Sequence, residues 1–227
     1  MREIKMTDYK ARKEQLIDHY RRRGYVKDEK AFDAFLQVPR EKFIPEKMSS
    51  SAYLDHPLPL MNTGQTISAP HMTIMILDYL ELAPGQRILE IGAGSGYQAA
   101  LIAAIVAADE APGHVYSIEI VPKLVEFARK NLTQAGFNHA VTVIEGDGTL
   151  GYEEEAPYDR VILTAAGPTV PPPLIKQLRV NGTLVMPIGR PGLWQQMNRY
   201  RKVSDTEIVE ERLSSVAFVP LRGKYGV

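Results

Sequence analysis

The chain has 227 residues, 44% hydrophobic and 24% charged, enough for one sizeable core and ordinary for a globular protein. Lys plus Arg and Asp plus Glu both number 27, so the formal net charge is zero and nothing in the balance points to a polyanionic partner. The absence of cysteine excludes disulfides, thiolate metal sites and cysteine nucleophiles, and five scattered histidines without an HExxH pair argue against a zinc site.

The opening MREIKMTDYKARKEQ is charged and lacks the apolar core of a signal peptide. The longest apolar run, Ala99 to Ala108, is about half of the roughly 20 residues a membrane span needs. The expectation is a cytoplasmic protein. Residues 8–23 predict a charged amphipathic helix with Tyr9, Leu16, Ile17 and Tyr20 on one side, stopped near Gly24. A second helix, about 28–37, carries Ala31, Phe32, Phe35 and Leu36 and is stopped by Pro39. The stretch 40–60 has no clear period and three prolines, and reads as a long ordered loop. A polar segment, TGQTISAPH (63–71), leads into an apolar helical pattern over 72–80.

From residue 83 strands and helices alternate. QRILEIG (86–92) reads as a strand, YQAALIAAIVAA (97–108) as a helix and HVYSIEI (114–120) as a strand. A helix over 122–136 begins at a proline and ends at Gly136. Strands follow at 140–148 and 158–167, then a short helix over 171–182 and a strand over 182–189. That alternation predicts a mainly parallel sheet with helices on both faces. The tail, 196–203, 207–213 and 215–221, reads as three successive antiparallel strands extending it.

The chemistry concentrates in LEIGAGSGYQAA (89–100), a strand, a turn with Gly92, Gly94 and Gly96, then a helix. Glycines there let the chain turn sharply and bring backbone N–H groups close to a ligand beyond the carboxyl end of a strand. Nicotinamide dinucleotide enzymes use GxGxxG with a pyrophosphate on the helix N-terminus. Here the spacing is GxGxG, and Glu90 precedes it, an acid that repels a pyrophosphate and suits a cation. S-adenosylmethionine carries an ammonium and a sulfonium. Glu119, at the end of the next strand, stands where an acid hydrogen-bonds ribose hydroxyls in nucleotide-binding α/β folds, the alternative being a solvated strand-end carboxylate. Asp147, between Gly146 and Gly148, suits an adenine edge or a tight turn.

These residues resemble the class I S-adenosylmethionine-dependent methyltransferases. GQTISAPHM (64–72), the glycine turn, GDG with YDRVILTAA, and VPLRG (219–223) together resemble the protein-L-isoaspartate O-methyltransferase family, from about residue 30 to the end. REKFIPE and AYLD in 40–59 resemble the same family; Ala93, where Thr is commoner in bacterial members, is a small departure, and the first 27 residues carry no family mark. The resemblance implies a Rossmann-like methyltransferase of one domain over 1–227: N-terminal helices and acceptor-side loop (1–80), cofactor-binding core (81–190) and C-terminal strands (191–227). It implies S-adenosylmethionine as cofactor, S-adenosylhomocysteine as product, and isoaspartyl proteins and peptides as partners. No nucleic-acid or membrane partner and no oligomer are expected. The implied reaction methylates the α-carboxylate freed when an L-isoaspartyl residue forms; the ester closes to a succinimide, whose hydrolysis returns some aspartate.

The resemblance also assigns residues. Thr66, Ile67, Ser68, His71, Glu90, Gly92, Gly94, Ser95, Gly96, Glu119, Asp147, Gly148 and Arg222 are expected at the cofactor. Ser68, Val219 and Leu221 are expected at the peptide, with Ser68 orienting the reacting carboxylate. The structural alternatives are a helix N-cap for Ser68, compatible with its role at the carboxylate, a structural hydrogen-bonder for His71 and a solvated strand-end charge for Arg222. A methyltransferase for another acceptor, such as an RNA base or a small molecule, and a non-catalytic nucleotide-binding protein are the competing readings.

Overall fold

Helix α1 (Met6–Arg23) opens the computed structural model, which describes residues 6–108, 112–190 and 192–227. Its first turn carries Asp8 and its last Arg21, Arg22 and Arg23, the charge order that complements a helix dipole. Ile17 and Tyr20 face the core. Helix α2 (Glu29–Gln37) is capped by the Asp28 carboxylate, which accepts from the Lys30 N–H at 3.0 Å. It buries Ala31, Phe32, Ala34 and Phe35, the spacing of one helix face.

The stretch 40–60 is not one loop. Two 3₁₀ turns, Arg40–Phe43 and Glu46–Ser51, lead to a hairpin of β1 (Leu58–Leu60) with β2 (Gln65–Ile67). Strands of three residues are too short to show a period. Leu58, Leu60 and Ile67 are buried while Pro59 and Thr66, opposite one another, face outward. Met61 and Asn62 turn the hairpin in the left-handed region, at φ 51° and 57°. Helix α3 (Pro70–Leu80) follows at once.

The core begins at β3 (Arg87–Ile91), followed by α4 (Tyr97–Val106), β4 (His114–Glu119), α5 (Pro122–Ala135), β5 (Val141–Glu145) and β6 (Tyr158–Leu163). Next come α6 (Pro172–Gln177), β7 (Leu178–Ile188), β8 (Gln195–Lys202) and β9 (Ile208–Val216). The sheet order is β5-β4-β3-β6-β7-β8-β9, parallel through β7 and antiparallel beyond it. The expected α/β architecture is therefore present. Alternate residues of the strands supply two cores: Ile88, Val115 and Ile162 face α4 and the N-terminal helices, and Leu89, Val161 and Leu163 face α6. Helix α4 is apolar nearly all round because it is packed between α2 and the sheet.

Two boundaries differ from expectation. The helix expected over 171–182 ends at Gln177, and β7 starts at Leu178 with a register shift opposite Tyr158 and Arg160 and with Asn181 at φ 65°. The tail holds two antiparallel strands, not three. A register shift between Met197 and Asn198 lets β9 run without a break to Val216. Beyond it the chain crosses back to β6: Ala166 N–H donates to Val219 O, and Leu221 N–H to Ala166 O, each at 2.8 Å. Pro220, lacking an N–H, sits between those two bonds without interrupting them. No helix of the described residues is long and apolar enough to cross a membrane.

Candidate active site

Strand β3 is the switch point, since the chain leaves it toward β4 on one side and β6 lies on the other. The loop after β3 therefore opens a crevice at the carboxyl ends of β3, β4 and β6. Gly92, Gly94 and Gly96 stand at φ 98°, 56° and 84°, a region that favours glycine. Gly92 also lacks room: a Cβ would lie 2.5 Å from Thr164 Oγ1, which donates to Gly92 O at 2.8 Å. The Glu119 carboxylate accepts from the Gly94 N–H at 2.8 Å and the Val121 N–H at 2.9 Å. The acid closing β4 thus braces the turn.

A cavity lies on this loop, at the carboxyl ends of the strands, where open α/β sheets hold their ligands. Its floor is Gly92, Gly94 and Gly148; one wall is Ile118, Glu119 and Ile120; the other is Thr66, Thr164 and Val219 to Arg222. Gly148 is also a close approach, because a Cβ there would meet Ile91 Cγ2 at 2.5 Å. A second cavity shares Thr66, Thr164 and Val219 with the first, and is completed by residues including Ser68, His71, Met72, Trp194 and Phe218. Two ligands, one in each cavity, would meet across that shared wall.

Of the residues expected at the cofactor, Thr66, Gly92, Gly94, Glu119, Gly148 and Arg222 line the first cavity, joined by Val219 and Leu221 from the peptide set. Ser68 and His71 line the second. Ile67, Glu90, Ser95, Gly96 and Asp147 line neither. Ile67 alternates with Thr66 and turns into the core. Ser95 is buried and its carbonyl accepts from Asn131 Nδ2 at 3.0 Å, while Gly96 caps α4 against Leu132. Asp147 accepts from Thr149 N–H (2.9 Å), Thr149 Oγ1 (2.7 Å) and Lys224 N–H (2.7 Å), closing a turn and pinning the chain end. Its burial opposes ionisation, but these bonds outweigh it and hold the carboxyl below its usual range.

Glu90 is fully buried beneath the glycine turn and takes a hydrogen bond from Ser117 Oγ, its register partner on β4. Its other oxygen has no partner among the described residues. Burial, with the Glu119 charge adding and Ser117 opposing, pushes this carboxyl up to about 8. The Glu119 carboxylate at the cavity, beside the apolar faces of Ile118 and Ile120 and the open glycine turn, fits a ligand with hydroxyl or cationic groups and an apolar ring. The residues therefore fit S-adenosylmethionine.

Ser68 does not cap α3. The cap position is Ala69, with no side-chain bond. The Ser68 carbonyl instead accepts from Arg40 Nη2 at 2.7 Å. Arg40 is completely buried, donates through Nε to Ala52 O at 2.8 Å, and lies 5.1 Å from the Tyr97 ring centre. His71 is held by Asp55, whose Oδ1 accepts from the His71 N–H at 3.0 Å and faces Nδ1 at 2.8 Å. Val219 O and Leu221 N–H are both engaged with Ala166, so a peptide would meet this segment through its other groups.

Sequence reasoning assigned no role to Arg40, Thr164 or Ile120. Thr164 and Ile120 follow the ends of β6 and β4, where the rule for ligands at strand carboxyl ends applies. Arg40 gave no signal, because its partners lie 12 and 28 residues away. No group of three metal-ligating side chains forms among the described residues.

Comparison with known proteins adds a family. The model described as protein-L-isoaspartate(D-aspartate) O-methyltransferase matches residues 11–226. The protein-L-isoaspartate O-methyltransferase of Hyperthermus butylicus is 48% identical over 222 residues, covering 96% of this chain and 91% of that protein. That of Staphylothermus marinus is 50% identical over 214 residues, covering 93% and 94%. A Plasmodium falciparum crystal structure described as a protein-L-isoaspartate O-methyltransferase in complex with S-adenosyl-L-homocysteine superposes with a TM-score of 0.81 at 29% identity, covering 94% of this chain and 98% of that one.

Proposed function

Because this chain belongs to the protein-L-isoaspartate(D-aspartate) O-methyltransferase family, it is a repair enzyme that methylates the free α-carboxylate of L-isoaspartyl residues in damaged proteins, and we propose how its residues divide that work. S-adenosylmethionine supplies the methyl group, on a sulfonium centre. Glu119, Gly92, Gly94, Gly148, Thr66 and Arg222 hold it in the first cavity, with Glu90 beneath. The isoaspartyl residue enters the second cavity, beside Ser68. The shared wall of Thr66, Thr164 and Val219 carries this reading, because it is where a methyl group and a carboxylate approach each other.

The acceptor carboxylate is ionised at neutral pH, so no general base is required. What remains is alignment of the reacting atoms and exclusion of water. The Ser68 hydroxyl donates a hydrogen bond to the carboxylate and orients it without a charge that would trap it. Arg40 fixes the backbone that carries that hydroxyl. Asp55 fixes the His71 ring on the same wall.

The same reading takes 1–227 as one methyltransferase domain, working as a cytoplasmic monomer with no nucleic-acid or membrane partner. The equal counts of acidic and basic residues, 27 each, support the absence of a polyanion partner. Methyl transfer from labelled S-adenosylmethionine to two peptides of one sequence, with L-isoaspartate or aspartate, tests the reading. Base-labile label is expected on the isoaspartyl peptide alone. Label on neither, with cofactor binding demonstrated separately, overturns the repair assignment and leaves the methyltransferase fold.

A further inference from the structure

Trp194 is the only tryptophan of the chain, yet it is 79% exposed, and its neighbour Leu193 is 64% exposed. Both sit on the connection from β7 to β8. A lone exposed apolar residue is ordinary; two large ones at the rim of a ligand cavity are informative. Trp194 lines the second cavity together with Pro57, Ala217 and Phe218. It also lines an adjoining hollow with Gly192, Leu193, Gln195, Ala217 and Phe218. The two spaces share Trp194, Ala217 and Phe218, so they are continuous along one rim. Among the described residues no charged side chain lines the hollow.

The base of this tip is braced. Gln195 is buried, and its Oε1 accepts from the Phe218 N–H at 2.7 Å. Phe218 and the segment returning toward β6 are thereby tied to the start of β8. A large aromatic face beside such an anchored residue presents apolar area with few rotatable bonds to order.

We propose that Trp194 and Leu193 hold an apolar or aromatic side chain of the damaged polypeptide, one or two positions from the isoaspartyl residue. An isoaspartyl residue seated beside Ser68 must lead its flanking chain out over the rim, and an extended chain advances only about 3.3 Å per residue. A chain that leaves the second cavity past the shared residues Trp194, Ala217 and Phe218 carries its next side chain over the hollow. The contact is non-directional, so it ranks peptides by the apolar character of their flanks without demanding one sequence. This inference rests on the reading that the second cavity takes the isoaspartyl residue.

The test uses two isoaspartyl peptides that differ only in carrying Phe or Gly on both sides of the damaged residue. The wild-type enzyme is expected to show a lower KM for the Phe-flanked peptide. Trp194→Ala raises that KM roughly tenfold, the loss typical of an aromatic anchor. The loss is read in the ratio of KM values between the two peptides, which falls toward one in Trp194→Ala, whereas Trp194→Phe keeps most of the preference. In the wild type the single tryptophan emission shifts to the blue on adding the Phe-flanked peptide with S-adenosylhomocysteine. Equal KM values for both peptides, a preference that survives Trp194→Ala, or an unmoved emission overturns the proposal while the acceptor reading stands. Failure of the wild type to methylate either peptide overturns both.

Discussion

The two cavities meet at one wall but are built differently. The cofactor side is made of strand ends, Gly92 after β3, Glu119 at the end of β4 and Thr164 after β6, tied by backbone bonds from Gly92 N–H to Ile118 O and from Thr164 N–H to Ile91 O, with the Glu119 and Thr164 side chains bonded to the glycine turn. The acceptor side is made of short, irregular pieces: a hairpin of three-residue strands, the start of α3, and the return segment beyond β9. Its order comes from buried polar side chains, with Arg40 bonded to the carbonyls of Ala52 and Ser68 and Gln195 holding Phe218. The difference matches the two ligands. On the proposed assignment, one molecule of fixed shape is gripped by the carboxyl ends of central strands, and a polypeptide of unspecified sequence is met by loops whose geometry is set from behind.

The largest effect that would break this contrast comes from the cofactor side. Gly92→Val forces a branched side chain into Thr164 at a left-handed φ, and should lower cofactor affinity at least a hundredfold, about 3 kcal/mol. Calorimetric titration of the folded variant measures it, and a near-normal dissociation constant would show that the turn adapts.

The next is a pH effect at Glu90. Its folded carboxyl, near 8, lies above the 4.5 of the free acid, so the folded state binds the proton more tightly. That contribution to stability is fully present below about 4.5 and is lost as pH rises toward 8, on the order of a few kcal/mol in all. Glu90→Gln should flatten the denaturation free energy across that window, and unchanged pH dependence would show the carboxyl titrating elsewhere. A cation bound nearby favours ionised Glu90, so cofactor affinity in the wild type should rise with pH over the same range.

On the acceptor side, Arg40→Met leaves one buried and one half-buried carbonyl unpaired and should cost about 2–4 kcal/mol of stability, read by urea denaturation. In the variant that remains folded, turnover should fall while cofactor affinity holds; equal loss of both would mean the two sides are one mechanical unit. The smallest effect is Ser68→Ala, about 1 kcal/mol, or some fivefold in kcat, with cofactor binding unchanged. A normal turnover would remove the serine from the reaction.

The cofactor half was legible in the sequence. A strand, three spaced glycines, a helix and an acid ending the next strand lie within about 30 residues, and each is a local signal of what the backbone must do. The α/β alternation was legible for the same reason, because burial on both sheet faces writes continuous apolar runs. The acceptor half was less so. REKFIPE, TISAPHM and VPLRG could be recognised by resemblance, but nothing local in them predicts a hairpin, a buried arginine or a segment that crosses back to β6.

The sequence by itself therefore determined the sheet, the glycine turn and the acids near it, since these follow from periodicity and backbone freedom over a few neighbouring residues. Only the tertiary structure decided that Glu90 lies buried beneath the turn and Ser68 opens to the second cavity. It also decided that Trp194 stands at the rim of that cavity. Each depends on contacts between segments far apart in the chain, and the free energy of such contacts leaves no period in any one of them.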